Sequence, residues 1–469
     1  MFAPEGCKKG VPSVIVSSLQ KTRKRVLLMT NLQEKRAHFN PKVVITNKAG
    51  QVSVDGGAIL IKEFLHQIKF QKLVDRFIHF RKKRSNSDHS FEKILELVLL
   101  QNCAGYEKDK ANNVLKSDPA FNYLLDTEQS ASQSTISRFW NDLPDDILEG
   151  IENLIDYLND GSRFARQQTE LVIDIDSTHF DTFGKQENTD YNAHYGTYGY
   201  HPLVAYDGVH GDFLKSELRP GNVYTSAGSE TFIKDLLEHV HAQSSFLHGI
   251  VLRADSGFAS PKVYQICEDQ LTDYLIRLKS NARLKALANQ EMEEIHNSDY
   301  TKTARHYFDL DYKAGSWTHS RRVSVLAERP AGELFYRYTF VVTSFSKNIS
   351  CEYIINAYKK RGTMENYIKE AKNRFFMGKT DSTKFQTNRA RMLVSQLAYT
   401  LMHILKNNCL PKEASTSTMA TIRHRLMKVA VKIVRHARKI YYNLSTSHVY
   451  GKDFFEVLNS IQNFQMGVP

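Results

Sequence analysis

The sequence predicts an α/β chain. A mixed sheet flanked by helices occupies its middle, a β-rich segment interrupts it, and helical regions lie on either side. Three observations predict this. Between residues 170 and 283, short β-branched runs alternate with helical periods. From 285 to 345 the runs are strand-like. Before 165 and after 352, apolar residues recur at spacings of three and four, one face of a helix.

The elements follow in chain order. Ile59 to Leu65 and Phe91 to Leu100 carry helical spacing. Ser130 to Trp140 sets N-cap-type residues before an apolar stripe. It reads either as the recognition helix of a helix-turn-helix or as a packing helix with Trp140 in the core. Leu171 to Asp176, His201 to Asp207 and Asp212 to Leu218 read as three strands, with turn residues at Asp207, Gly208 and Gly211. Thr231 to Gln243 is a predicted helix, Gly249 to Asp255 a strand, Pro261 to Asp269 a helix with proline in its first turn, and Tyr274 to Lys279 a strand. The order β-β-β-α-β-α-β implies a mixed sheet covered on both faces. Arg321 to Leu326 and Phe335 to Thr343 alternate as strands. Residues 422 to 440 are predicted to form a basic amphipathic helix, with Ile422, Leu426, Val429, Ile433 and Ile440 as its apolar stripe. The resulting division is a basic, flexible segment over 1–55, a helical DNA-binding region over 56–165, a first α/β part over 166–284, strands over 285–346, a second α/β part over 347–410 and a helical basic region over 411–469.

A chain of 469 residues exceeds one compact core. Its net charge of +12 suits a polyanionic partner. The five cysteines are dispersed without a Cys-x-x-Cys pair, which fits a reducing compartment and no structural zinc. No apolar run is long enough to span a membrane, and the N-terminus lacks a signal peptide's pattern. The expectation is a cytoplasmic, nucleoid-associated bacterial protein without a membrane partner. Lys8, Lys9, Lys21, Arg23, Lys24 and Arg25 give a basic tail, and Met29 is a second candidate start. Glycine-rich nucleotide loops are absent, so no ATP is expected.

Three acidic positions carry the chemistry. Asp174 and Asp176 stand two apart in an apolar strand and so share a face. A carboxylate there is costly without a cation or partner, although a solvated polar face or a loop cap would also account for them. Asp255 ends a strand where the chain turns on Gly257, which suits either a ligand site or an Asp-Ser-Gly turn. Tyr358, Arg361, Glu365, Lys369 and Lys372 are spaced 3, 4, 4 and 3, one face of a continuous helix. An acid among cations fits a metal ligand surrounded by DNA phosphates, or a salt-bridged surface helix. Glu370 lies off that face. Hard divalent ions prefer such carboxylates, and phosphodiester transfer uses a pair of ions about 4 Å apart.

These residues resemble a known group. Tyr358, Arg361, Glu365 and Lys372 match the Tyr-x2-Arg-x3-Glu-x6-Lys signature of DDE transposases from bacterial insertion sequences. Gly184-Lys-Gln-Glu187, Tyr191-Asn-x-His194-Tyr-Gly196, Leu218-Arg-Pro-Gly-Asn222, Arg253-x-Asp255-Ser-Gly-Phe258 and Arg277-x-Lys279-x-Asn281 resemble one subgroup, from about residue 55 to the end. The resemblance implies an RNase H-like core and a cut-and-paste transposase working with two Mg2+ (or Mn2+) ions. It assigns metal-ligand roles to Asp176, Asp255 and Glu365. Asp174 is a second candidate for the first ligand; Ser177 and Thr178 after Asp176 favour the latter. It also implies a homodimer on double-stranded DNA, holding terminal inverted repeats and target, and in some relatives a DNA hairpin with a flipped base stacked on a tryptophan. Trp317 is the candidate for that role, or a core residue.

DNA contacts are expected from Tyr358, Arg361, Lys369, Lys372, Arg253, Lys279, Arg423, Lys428 and Arg435. The histidines near the first strands, His179, His194 and His201, form no tight ligand cluster and suit local hydrogen bonding. Two alternatives remain open: a catalytically inert DNA-binding descendant of a transposase, and a metal-dependent nuclease without strand transfer.

Overall fold

A computed structural model describes residues 33–80, 89–243, 246–293, 295 and 299–467. The basic tail residues and Met29 lie outside the described residues. Three short strands come first: β1 (Glu34–Arg36), β2 (Val44–Thr46) and β3 (Val52–Ser53). Helices Ala58–Gln67, Phe70–Phe77, Phe91–Ala104, Gln133–Asn141 and Asp145–Ala165 follow. Their apolar faces close on one core together with the long helix Phe385–Cys409. No helix among the described residues is long and apolar enough to cross a membrane. The predicted recognition helix is the segment Gln133–Asn141, capped by the Ser132 hydroxyl, which accepts from the Thr135 amide. Trp140 is buried in the shared core.

The chain then builds β4 (Glu170–Ser177), β5 (Phe180–Asp181), β6 (Asp190–Asn192), β7 (Thr197–Tyr200), β8 (Leu203–Asp207), β9 (Phe213–Glu217), β10 (Gly249–Ala254) and β11 (Asp273–Leu278). The strand-rich segment adds β12 (Ala304–Tyr312), β13 (Arg321–Arg329) and β14 (Arg337–Thr343). Eight strands join in one sheet, in the order β12-β13-β14-β11-β10-β4-β8-β9. β4, β10 and β11 run parallel, and β8 and β14 pair antiparallel to their inner neighbours. The strands after β11 therefore extend the central sheet itself.

Alternation sets the two faces. Leu171, Ile173 and Ile175 of β4 and Ile250, Leu252 and Ala254 of β10 pack under helices Ser229–Gln243 and Pro261–Asp269. The intervening Asp174, Asp176 and Arg253 point to the opposite face, where helix Cys351–Lys359 covers Leu275, Leu326 and Val341. One element departs from the strand-rich reading of 285–345: Ala282–Met292 is a helix, begun by Asn281, whose side chain accepts from the Leu284 amide at 2.8 Å.

The helix expected over residues 422–440 does not form. A short helix Met419–Ile422 and one wide helical turn, Arg423–Met427, give way to a hairpin of β15 (Val431–His436) and β16 (Lys439–Leu444). The Val431–Ile433 alternation suits a strand, and Val431 and Ile433 pack on Ala120. The two-residue turn places Ala437 at φ 49° and Arg438 at φ 62°, the left-handed pair of a tight hairpin whose twist matches its strands.

Candidate active site

Asp176 lies near the carboxyl end of β4, and Asp255 follows directly on the parallel neighbour β10. The crevice beyond parallel strand ends is where such sheets bind ligands. Asp255 turns its chain locally, one oxygen accepting from the Gly257 amide at 2.9 Å. Asp176 faces Arg361, with 2.6 Å between carboxylate and guanidinium. Burial pushes the Asp176 carboxyl above the ordinary range; Arg361 pulls it down and the charge on Asp255 pushes it up. Burial opposes the charge on Arg361, but Asp176, Tyr358, Asp255 and Asp174 together hold its pKa above the ordinary value. Two carboxylates thus share one small region, and an arginine supplies the compensating positive charge.

The second aspartate of the β4 pair has a different partner. Asp174 is 0% exposed, and both its oxygens accept from the Arg253 guanidinium at 2.6 Å. A third Arg253 nitrogen donates to the Ala357 carbonyl at 2.7 Å. Gly208 makes room for this pair, since a Cβ there would collide with both side chains. Asp174 and Arg253 are both internal to the fold, each holding the other, whereas Asp176 and Arg361 stay partly exposed. Sequence spacing placed both aspartates on one face, but could not show which had a buried cation waiting.

The signature residues do not lie on one helix face. Helix Cys351–Lys359 ends, a turn of tighter helix spans Lys360–Thr363, and a second helix runs from Met364 to Arg374. Tyr358 packs into the core beneath the sheet, where its phenol is raised chiefly by burial and senses Arg361, Arg277, Asp255 and Asp176. Glu365 is exposed in the first turn of the second helix. Among the described residues, no group of three His, Cys, Asp or Glu side chains converges as a metal-binding cluster. Lys372 extends from the last turn to donate to the His179 carbonyl at 2.6 Å, three residues beyond Asp176. Lys369 and Lys279 are exposed.

Trp317 and Arg423, two other expected DNA contacts, are internal, whereas Lys428 is exposed. Trp317 is 6% exposed and meets Tyr264 and Tyr312 edge-on, with Arg321 over its ring. It is a core residue here and offers no free face for a base. Arg423 is buried, donates to the Cys103 and Asn102 carbonyls at 2.7 Å, and lies over Phe375. Lys428 pairs with Asp55 at 2.5 Å and covers the Tyr106 ring. Arg435 remains exposed near the hairpin tip, beside exposed His436, Arg438 and Lys439.

The motif Tyr191 to Gly196 stands out in the sequence, but the short strands around it were not foreseen. Beyond Asp176 the β4–β8 ribbon continues: Thr178 donates to the Pro202 carbonyl, Phe180 pairs with Tyr200, and β6 adds to β7. Gly199 permits this, since a Cβ there would strike the Phe180 carbonyl and the His179 ring. Tyr195 stacks on His179 with ring centres 4.8 Å apart. The tyrosines at 191, 195, 198 and 200 were the available signal.

The profile of the family described as transposase DDE domain, group 1, matches residues 35–466. No curated protein matches. Among solved structures, the chain is similar to the piggyBac transposase in a synaptic complex with hairpin DNA, at 11% identity, with TM-score 0.41 over 84% of this chain and 82% of that one. It is also similar to the Mos1 transposase in a paired-end complex with the left transposon end, at 12% identity, with TM-score 0.17 over 49% of this chain and 74% of that one. The family match takes in both carboxylate strands, the ribbon beyond them and the helices that carry Arg361, Glu365 and Lys372: the chain belongs to the transposase DDE domain family, group 1.

Proposed function

We propose that the protein is the cut-and-paste transposase of a bacterial insertion sequence, acting in the cytoplasm on its element's terminal inverted repeats and on target DNA. The observation that carries this reading is the pairing of Asp176 and Asp255 at the ends of neighbouring parallel strands, with Arg361 against them. The strand order β9-β8-β4-β10-β11, with β8 the one antiparallel member, supports an RNase H-like core.

The donor set fits hard divalent cations. Asp176 and Asp255 are partly buried carboxylates whose mutual repulsion a cation relieves, as Arg361 does here. Mg2+ or Mn2+, two ions in this reading, supplies activation of the attacking oxygen and neutralisation of the leaving one. Asp176 and Asp255 would hold that charge, and Glu365 would complete the ligand set on moving toward them from its exposed position. Arg361 exchanges its carboxylate for a phosphate oxygen, to which its planar fork is suited. Lys372 positions the strand beyond Asp176, and Tyr358 packs beneath. Water adds to the phosphorus as the phosphorus–oxygen bond to the 3′ side breaks. The freed 3′-hydroxyl would then attack a phosphorus of a second strand, forming a new phosphorus–oxygen bond as that strand's own bond to its 3′ oxygen breaks, which gives either a hairpin or joined target DNA. Phosphodiester energy is conserved, so no ATP enters. A homodimer would hold the two element ends.

An inert DNA-binding descendant is favoured by the exposure of Glu365 away from the aspartates. The two readings part in one assay, with magnesium and a supercoiled plasmid carrying the element's ends. Excised or integrated products from wild type, absent with Asp255→Ala and Glu365→Ala, support the transposase. Binding without strand breakage by wild type refutes it, and cleavage without joining identifies a nuclease.

A further inference from the structure

The eight-stranded sheet ends on β12, a strand of nine residues whose outer side pairs with no strand among the described residues. Cys351 shows which of its backbone groups face out. The sulfur lies 3.1 Å from the Phe308 carbonyl oxygen and 3.4 Å from that of Val325, the register partner of Phe308. One atom reaches both oxygens only if both point into the gap between β12 and β13. Alternation then turns the amides and carbonyls of Arg305, Tyr307, Asp309 and Asp311 outward. They meet no backbone partner among the described residues. A free edge of this length is a template for another strand.

Side-chain order selects the occupant. Two copies of β12 set antiparallel about an axis at Phe308 would place Arg305 of each opposite Asp311 of the other. Both side chains are exposed. Asp311 forms no ion pair among the described residues. Arg305 uses its Nε for Glu328, at 2.6 Å, which leaves the outer nitrogens of the fork available. Phe308, only partly buried, would meet its own copy in a pair without mutual backbone bonds, the closer kind of cross-strand pair. Neighbouring registers are worse. An axis at Asp309 opposes Asp309 to itself and Arg305 to Lys313. An axis at Tyr307 opposes Arg305 to Asp309, whose two oxygens Arg322 already holds at 2.9 and 2.8 Å. Edge charges commonly block pairing; here opposite signs stand at equal distances on either side of Phe308, so they favour one register. We infer that β12 is a self-pairing edge through which two copies of this chain join their sheets, antiparallel about Phe308. The pairing needs neither DNA nor catalysis, so it stands apart from the transposase reading.

The test is sedimentation of the full chain without DNA. Wild type should form a dimer that dissociates on dilution. Asp311→Lys and Arg305→Glu each oppose like charges twice per dimer, and each should weaken it by about 2- to 30-fold or more. Mixing the two variants restores opposite charges at both positions and should recover a mixed dimer of wild-type affinity. Unchanged thermal unfolding shows that both variants fold. In a Cys7→Ser background, Phe308→Cys should give a reducible covalent dimer, since cross-strand partners of this kind lie about 4.5 Å apart, within disulfide reach. Tyr307→Cys, opposite Asp309, should not. A wild type that stays monomeric overturns the inference. So does a dimer that both charge variants leave intact, which would place the contact elsewhere, and so does weakening without recovery on mixing. Loss of element cleavage by wild type would overturn the transposase reading and leave this pairing standing.

Discussion

Replacing Asp174 by alanine tests whether the first metal ligand is Asp174 or Asp176. Both lie on one face of β4, but Asp174 is sealed against Arg253 with two bonds of 2.6 Å. Removing it leaves the guanidinium buried, with one bond to the Ala357 carbonyl as its remaining contact. Stranding one partner of such a pair costs about 3–5 kcal/mol. For a cooperative unit of about 150–250 residues, each kcal/mol moves the melting temperature by about 2–4 °C. Asp174→Ala should therefore lower the melting temperature by about 6–20 °C, read by circular dichroism. Asp174→Leu with Arg253→Met should recover much of this loss, because a well-packed apolar pair of similar volume replaces the ion pair without leaving a buried charge. Asp176→Ala should keep the native melting temperature, or raise it, and abolish cleavage. An Asp174→Ala protein that melts like wild type yet cannot cleave would refute the assignment.

Three further outcomes follow. Since burial and Asp255 raise the Asp176 carboxyl of the metal-free protein, cleavage at limiting metal should fall on acidification at a pH above the ordinary aspartate value of about 3.9. Arg361→Gln removes the opposing cation and should move that limb to higher pH; a limb that stays put refutes the coupling. Stability runs the other way, because a carboxyl whose folded pKa is raised stabilises the fold while protonated, a contribution lost as pH rises through that pKa. Trp317→Ala should destabilise by about 3–5 kcal/mol as a core truncation, while Trp317→Phe cleaves normally below its melting temperature; selective loss of strand processing at native stability would restore a stacking role. Arg435→Gln and Arg438→Gln at the β15–β16 tip should weaken DNA binding similarly across sequences, each lowering the slope of log affinity against log salt by about one. Arg423→Met should destabilise without changing that slope.

The central sheet was legible because each of its strands is short, β-branched and bounded by turn residues, as Leu171 to Asp176 shows. β4, β8, β9, β10 and β11 fall where alternation and turns put them. The small sheet was not, because β5, β6 and β7 are two to four residues long and owe their pairing to the β4–β8 ribbon. The 422–440 segment misled because Ile422, Leu426, Val429 and Ile433 satisfy helical spacing, whereas Val431 and Ile433 also satisfy strand spacing. Tertiary pairing with Val52 and Ser53 of β3 selects the strand. Burial of Arg253, Arg423 and Trp317 could not be read at all, since composition gives a cation or an indole no address. Each is held by groups distant in sequence: Asp174, the Cys103 carbonyl and Tyr264.

The broken helix accounts for the behaviour of the signature. On a continuous helix, Tyr358, Arg361 and Glu365 would project together, and the acid would follow wherever the arginine pointed. The tighter turn over Lys360–Thr363 uncouples them. Tyr358 anchors the first helix in the core, Ile368 and Ala371 anchor the second, and Arg361 sits on the short joint between, free to meet Asp176 while Glu365 stays in solvent. Gly362 lies in that joint, and a side chain added there would meet no neighbour. The proposed chemistry requires Arg361 to leave the carboxylates and Glu365 to approach them, and this joint is the segment that connects the two residues. Stiffening the joint with Gly362→Ala, which meets no steric barrier, should then leave single-strand binding intact and slow cleavage. Unchanged cleavage would mean that Glu365 reaches the aspartates by another route.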